Sequence, residues 1–244
     1  MMRLLGAGLL ACCLYAVALG ASDPDLYGDP DDPIAGKVLG MVIHTDDPEA
    51  LRYVILEQLT DRYASDKGIA VTQAERDAYV KHLQRSMAQD RQRQEARRDE
   101  LTRRLAAEAL PESERASLAS ERDTLNALLA TLDELADSAA GDPAETAAAR
   151  DQLADAFIRQ WKINQALYRE YGGRIVFQQG GPEPLDAYRR FLEERQARGD
   201  FELLDADLET RFWRYYLNDS IHSFYPPDSE EEAEVFQVPW WLSD

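Results

Sequence analysis

Few residues of this chain are arranged in patterns that would support catalysis or metal binding. The three histidines, His44, His82 and His222, lie far apart, and none has a second histidine at helical spacing. A zinc site needs clustered histidine, cysteine or carboxylate ligands, and many serine nucleophiles stand in a sharp turn such as GxSxG. Neither arrangement occurs in the sequence. We therefore predict a protein with no catalytic residues, no metal ligands and no cofactor.

Aromatic residues give a stronger signal than the titratable ones. Large rings supply contact area at low entropic cost and can bind extended polypeptide without reading a precise sequence. The same rings could equally form ordinary hydrophobic core. We predict a candidate groove for polypeptide, with core packing as the alternative. The six rings recur on two predicted helices, Trp161, Tyr168 and Tyr171 on the first and Phe212, Trp213 and Tyr216 on the second.

The last segment, residues 226–244, changes character abruptly. An acidic run is followed by an apolar stretch that contains Phe236, Trp240 and Trp241. This stretch has the composition of an unfolded polypeptide, so it is a candidate autoinhibitory tail that occupies the groove in the free protein. The alternative is a closing segment packed permanently on the core.

Composition and charge exclude several classes of protein. The chain has 244 residues, of which 45% are hydrophobic, and its 27 basic and 46 acidic residues give a formal charge of -19. Nucleic-acid binding depends on cations that neutralise phosphates, so we expect no nucleic-acid partner. The composition does not fit a disordered chain. The only long apolar run lies at the N terminus, so we expect no membrane span in the mature protein.

The N-terminal residues have the features of a secretory signal peptide. Arg3 precedes an apolar run from Leu4 to Gly20 that ends in small residues. We predict residues 1–20 as a signal peptide, cleaved near Gly20, and export to the bacterial periplasm. Cys12 and Cys13 lie in the middle of this run, which argues against a lipid anchor at Cys12. The mature chain would then contain no thiol.

The remaining patterns predict a mainly α protein with long helices, a helical arm and a small two-stranded β element. Lys37–Leu39 and Met41–Ile43 are the two predicted strands, and 174–179 is a further strand that could pair with them. Helices are expected after the Asp47-Pro48 pair and after a capping box that begins at Thr72.

Residues 81–141 predict a helical hairpin that projects from the body of the protein. Its first helix carries many charges of both signs and few apolar residues. Beyond Pro111, the residues Leu118, Leu125 and Leu132 recur every seven positions, which indicates an antiparallel seam. The sequence leaves open whether this seam also joins two copies of the chain.

These patterns divide the chain into six segments. They are a signal peptide at 1–20, a flexible leader at 21–33, an N-terminal module at 34–80, the arm at 81–141, a returning helix, strand and C-terminal helices at 142–225, and an acidic then aromatic tail at 226–244.

The N-terminal module carries a resemblance to a known family. Residues 34–80 contain, in order, a short strand region VLGMVI, a helix LRYVILEQLTDRYA, a KGI linker and a second helix that opens with VTQAERDAYV. This order resembles the N-terminal chaperone module of the SurA-type and PrsA-type periplasmic foldases. The resemblance implies that inserted parvulin-type prolyl isomerase domains follow the module, and that residues 142–179 return to complete a chaperone core.

The chain departs from that family in the region where the isomerase would lie. A parvulin domain is rich in glycine and strands, whereas residues 72–170 are helical by pattern and contain a single glycine, Gly141. We therefore expect the isomerase domain to be missing. An isomerase assignment would then rest on the resemblance to the family and not on active-site residues of this chain.

Three functional hypotheses follow. The first is ATP-independent binding of unfolded or partly folded exported polypeptides through the aromatic groove. The second is an assembly protein that holds one dedicated folded partner at the helical arm. The third, an active prolyl isomerase, is the enzyme-class alternative.

Overall fold

The computed structural model describes residues 26–106, 110–138, 143–178 and 181–242. The predicted mainly α class is confirmed. The predicted signal peptide and its cleavage site lie outside the described residues. The described helices are α1 (Pro48–Asp66), α2 (Gln73–Leu105), α3 (Glu112–Ser138), α4 (Pro143–Tyr171), α5 (Leu185–Ala197), α6 (Ala206–Leu217) and α7 (Glu230–Glu234). The described strands are β1 (Leu26–Tyr27), β2 (Ile34–Val38), β3 (Met41–His44), β4 (Val176–Gln178), β5 (Gly181–Glu183) and β6 (Phe201–Leu203).

The main sheet has the strand order β1-β3-β2-β6. At its centre lies the predicted two-stranded element, the antiparallel hairpin of β2 and β3. The hairpin turns at Leu39 and Gly40, whose φ angles of 50° and 96° are those of a type I′ turn. β6 adds antiparallel to β2, so the sheet joins the N-terminal hairpin to the C-terminal helical region.

The other edge of this sheet is formed by part of the predicted flexible leader. β1 pairs parallel to β3, with Leu26 opposite Val42 and Tyr27 opposite Ile43. The described residues of the leader differ from a free linker because the open edge of β3 supplies hydrogen-bond partners for their backbone.

The predicted pairing of residues 174–179 with the Lys37–Ile43 region is wrong. β4 pairs with β5 in a separate antiparallel sheet, and Val176 forms a further bridge to Phe224. The chain reverses directly after β4, so β5 is its nearest partner, while the edge of β2 is already covered by β6.

The main hydrophobic core lies between the main sheet and helices α1, α4, α5 and α6. α1 begins where the side chain of Asp47 accepts a hydrogen bond from the backbone N–H of Glu49, and Pro48 occupies the first turn. Apolar side chains at a spacing of four residues then place one face of α1 in the core. The fully buried core side chains include Leu51, Ile55, Leu167, Phe191, Phe201 and Phe212.

A second cluster, the tail cluster, joins the C-terminal segment to α2 and α4. It contains Phe236 and Trp241, which are 5% and 2% exposed, and a turn of 3₁₀ helix spans Trp240–Leu242. α4 packs on both the main core and the tail cluster, because apolar residues lie on more than one face of this helix. The buried members of the tail cluster are Tyr79, Ala154, Ile158, Trp161, Ile175, Phe236 and Trp241.

The predicted arm consists of α2 and α3, which pack against each other in antiparallel orientation. Thr72 and Glu75 form the expected capping box at the start of α2. With 33 residues, α2 is about 50 Å long at the usual helical rise. The buried leucines between the two helices are Leu101, Leu118 and Leu129. None of the described helices combines the length and apolarity needed to cross a bilayer.

Charged pairs also join the two helices of the arm. Arg97 binds Glu121 through two hydrogen bonds of 2.8 and 3.0 Å, and Arg104 binds Glu114 at 2.7 Å. Such exposed pairs each contribute little to stability. They specify the register of α2 against α3 more than they stabilise the arm.

The close approach of β2 and β6 requires glycine at position 36. A methyl group there would lie 2.5 Å from the carbonyl oxygen of Glu202 on β6. We expect Gly36→Ala to lower the free energy of unfolding by about 1–3 kcal/mol, because the two strands must separate to accept it. Chemical denaturation measures this loss. Lys37, the exposed next residue on β2, provides the control variant Lys37→Ala. If Gly36→Ala were as stable as Lys37→Ala, the register described for β2 and β6 would be contradicted.

Candidate functional site

The six aromatic residues predicted to form a groove do not lie on one surface. Trp161 belongs to the tail cluster, and Tyr168 packs against it. Tyr171 lies against the main core, with its ring centroid 6.1 Å from that of Phe191. The three rings on α6 also face the main core, where Phe212 and Tyr216 are buried and Trp213 is partly buried. The structure therefore divides the predicted groove residues between two clusters.

The candidate tail residues Phe236 and Trp241 contact the α4 rings in the tail cluster. The ring of Phe236 lies 6.3 Å from that of Trp161 and 5.2 Å from that of Tyr168, measured between centroids. Trp241 contacts Trp161 edge to face at 5.6 Å. The tail thus covers the rings of α4 that were predicted to bind polypeptide. Burial of Phe236 and Trp241 fits the closing-segment alternative, while competition with a client stays a prediction.

A crevice lies beside this aromatic contact, between α1, α4 and the β4–β5 hairpin. It consists of two adjoining cavities of about 280 and 490 Å³. The cavities share part of their lining, which makes them compartments of one site. The shared residues are Ala156, Gln160, Asn164, Gly181 and Pro182.

The smaller cavity, here called the aromatic compartment, is mainly apolar. Phe157 and Trp161 of α4 form one wall, and Trp240 closes it from the C-terminal segment. Trp240 is 41% exposed, in contrast to the buried Trp241. This compartment can bind an apolar side chain.

The larger cavity, here called the amide compartment, contains a buried network around Asn164. Asn164 Nδ2 donates to the carbonyl oxygen of Pro182 at 2.9 Å. Its Oδ1 accepts from the hydroxyl of Tyr188 at 2.7 Å and from Gln160 Nε2 at 2.8 Å. Asn164 and Tyr188 are only 8% and 5% exposed. The network therefore connects α4, α5 and β5 through two buried side chains, with the exposed Gln160 at its edge.

A second polar group lines the same compartment on the side of the hairpin. Glu183 of β5 accepts hydrogen bonds at one carboxylate oxygen, Oε2, from Gln178 and from the Tyr215 hydroxyl, the latter at 2.7 Å. Burial raises the pKa of Glu183 above its ordinary value. The same burial and the neighbouring carboxylate raise the pKa of Tyr215. The carboxylate is thus partly desolvated and has no ion-pair partner among the described residues.

Residues behind the compartment hold Tyr215 in place. The guanidinium of Arg52 lies over its ring, 4.1 Å from the centroid. His222 contacts the Tyr215 backbone carbonyl oxygen through Nε2 at 2.6 Å. His222 has a structural role here, and the other two histidines lie apart from it, His44 against the backbone of Asp32 and His82 against Trp240.

The chemistry of the crevice is that of a binding site. It offers apolar surface, amide groups and carboxylates. In the parts of the chain that the structure describes, no cluster of three or more histidine, cysteine or acidic side chains could hold a metal ion. An extended ligand with both polar and apolar groups fits this lining.

Of the residues predicted from the sequence, Trp161 and Trp240 line the aromatic compartment, whereas Phe157 and the amide compartment were not predicted. Asn164 stands in an otherwise apolar stripe on α4, and a polar residue at a buried helical position is a signal for an internal network. Glu183 gave no comparable signal, because it stands between prolines in a turn-rich segment of an acidic chain. Its position depends on the β4–β5 pairing, which the sequence analysis did not predict.

Comparison with known proteins does not identify a family for this chain. No protein-family model matches it, and searches of curated proteins and of solved structures returned no match.

The Asn164 network predicts a specific stability loss. Asn164→Ala leaves the Pro182 carbonyl and the Tyr188 hydroxyl without their buried partner, so we expect the free energy of unfolding to fall by about 1–3 kcal/mol. Urea denaturation measures this change in the free energy of unfolding. Asn126, exposed on α3, provides the matched control, because Asn126→Ala removes an amide that has no hydrogen-bond partner among the described residues. Equal stabilities of the two variants would contradict the network.

Desolvation of Glu183 predicts a pH-dependent difference in stability. Because its pKa is raised in the folded state, its contribution to stability is greatest below the ordinary glutamate value of about 4.3 and falls as the pH rises through the folded-state pKa. Glu183→Gln removes this titration. We therefore expect the variant to gain stability relative to the natural protein as the pH rises above about 4.3, the ordinary glutamate value. A stability difference that does not change with pH would show that Glu183 is solvated.

Proposed function

We propose that this protein is an exported, chaperone-like protein that binds a segment of unfolded polypeptide in the crevice, without ATP. The observation that carries the proposal is the juxtaposition of the aromatic compartment with the amide compartment. A polypeptide offers apolar side chains and backbone amides at regular intervals, and these two compartments are suited to one group of each kind.

The dimensions of the crevice support a polypeptide ligand. The two volumes, about 280 and 490 Å³, fall near the range of roughly 300–1,000 Å³ typical of ligand sites. Both compartments are open to the surface rather than enclosed, which allows a chain to enter and leave them. A site of this size contacts a few residues at a time, so binding would be weak and exchange fast.

An exposed ring on α1 extends the apolar surface of the crevice. Tyr53 of α1 lines the amide compartment and is 61% exposed. Large apolar side chains exposed beside a cavity are a feature of interaction surfaces. The net charge of -19 would help to keep a loaded complex soluble.

The periplasmic location and the relation to SurA-type foldases belong to the same proposal. They depend on residues 1–20, for export, and on the order of motifs in residues 34–80. The fold adds that the α1 region, which carries this resemblance, forms one wall of the crevice.

A second candidate function is suggested by the arm. α2 contacts α3 more extensively than it contacts α4 or the C-terminal segment, and Met87 on α2 is 60% exposed. A long charged hairpin that contributes little to the core is suited to holding one dedicated folded partner. A stoichiometric complex that requires the arm, with no binding of unfolded clients, would favour this candidate.

Filling the crevice tests the principal proposal. Ala156 is exposed and lines both compartments, so Ala156→Trp should occlude them without disturbing the core. We expect the natural protein to suppress aggregation of a denatured outer-membrane protein at stoichiometric amounts. The variant should require about tenfold more protein for the same effect, equivalent to a loss of about 1.4 kcal/mol in binding.

The control places the same ring elsewhere on α4. Ala148 is exposed and lines neither compartment, so Ala148→Trp should suppress aggregation as well as the natural protein does. Equal activity of both variants would move client binding away from the crevice. No suppression by the folded natural protein would overturn the chaperone proposal and favour the dedicated partner.

A further inference from the structure

The hydrogen-bond network fixes the orientation of each amide in the crevice. The carbonyl oxygen of Pro182 can only accept, so Asn164 must present Nδ2 to it and Oδ1 to the opposite side. Gln160 must then present its two N–H groups to Asn164 Oδ1 and to the Tyr188 oxygen, both at 2.8 Å. The Gln160 amide hydrogens are therefore used within the protein, and its Oε1 has no partner among the described residues.

The same reasoning applies to the side chain of Gln178. Its Nε2 donates to Glu183 Oε2 and, at 2.8 Å, to the Tyr215 oxygen. Glu183 Oε1 and Gln178 Oε1 have no hydrogen-bond partner in the described part of the chain. Three acceptor oxygens, from two amides and one carboxylate, thus belong to side chains that line the amide compartment. Polar hydrogens of the same network point to protein acceptors, so a ligand must supply donors.

The charges around the amide compartment favour the same kind of ligand. Among the described residues that line it are three carboxylates, Glu57, Asp61 and Glu183, and a single cation, Arg159. Arg159 is already paired with Asp61 at 2.6 Å. Among the described residues, the Glu57 carboxylate accepts a hydrogen bond only from the Tyr53 hydroxyl, at 3.3 Å. The lining therefore has an excess of negative charge.

Two groups behind the compartment reduce this excess without cancelling it. Arg52 and His222 attract the Glu183 carboxylate, and both lower its pKa, but burial outweighs them. Arg52 forms its ion pair with Glu49 and stacks on the ring of Tyr215. Glu183 thus has no ion-pair partner among the described residues, and a cation can approach it from the crevice that it lines.

We propose that the crevice selects polypeptide segments in which a basic side chain lies close to an apolar one. This inference rests on the proposed function and specifies its substrate class. The ammonium or guanidinium group donates to Glu183, Gln160 and Gln178 in the amide compartment. The apolar side chain enters the aromatic compartment between Phe157 and Trp240, and Tyr53 covers the stem of the basic residue.

A matched pair of peptides tests this selectivity. The first is a short unstructured peptide of alternating lysine and phenylalanine with a fluorescent label. The second is identical except that every lysine is acetylated, which removes the charge and retains the length. Fluorescence anisotropy with the natural protein should show at least about tenfold tighter binding of the lysine peptide at low salt. The ratio should decrease as salt is added.

The outcomes separate the two proposals. Equal binding of both peptides would overturn the selectivity and leave polypeptide binding intact. Binding of neither peptide would overturn the proposed function itself. Tighter binding of the acetylated peptide would show that the site prefers apolar segments, and would likewise overturn the selectivity.

Variants locate the effect in the crevice. Glu57→Gln combined with Glu183→Gln should reduce the preference for the lysine peptide to less than about threefold, whereas Asp66→Asn, an exposed acid of α1 outside the crevice, should leave it unchanged. Ala156→Glu adds a carboxylate at an exposed lining position and should raise the preference, in contrast to Ala148→Glu. Loss of preference in Asp66→Asn, or no gain in Ala156→Glu, would show that net charge rather than the crevice determines binding.

Discussion

The hydrogen bond from Asn164 to the carbonyl oxygen of Pro182 holds the β4–β5 hairpin against α4, and the geometry of the crevice depends on it. Because Asn164 is buried, its amide must be fully paired. Pairing with Tyr188 and Gln160 brings α5 into the same network and fixes the amides that line the crevice. One polar residue in an apolar stripe thereby determines both the position of the hairpin and the chemistry of the surface beside it.

Helix α4 makes this arrangement possible because it belongs to both hydrophobic clusters. Ile163 and Leu167 lie in the main core, while Ile158 and Trp161 lie in the tail cluster. The crevice occurs where these two clusters meet and neither fills the space. Its walls come from distant parts of the sequence, α1, the hairpin and the C-terminal segment, so the N-terminal module alone does not contain the complete site.

Local signals in the sequence predicted much of the fold, and non-local pairings account for what was missed. The caps at Asp47 and Thr72 could be predicted because helix starts depend on neighbouring residues. Of the three leucines predicted for the seam of the arm, Leu118 is buried, whereas Leu125 and Leu132 are only partly buried. The strand that pairs with residues 174–179 could not be predicted, since strand pairing depends on which sheet edges are free in three dimensions. The six aromatics predicted as a groove were separated by packing that periodicity does not encode. Glu183 lies at the crevice because β5 pairs with β4, and this pairing was not predicted.

Site-specific photo-crosslinking to an unfolded client tests the central claim, that the crevice is the binding surface, most directly. A photoreactive residue at position 53, which lines the amide compartment and is exposed, should crosslink to the client, and the same residue at the exposed position 126 of the arm should not. Crosslinks of equal or greater yield from position 126, with none from position 53, would contradict the claim and assign client binding to the arm.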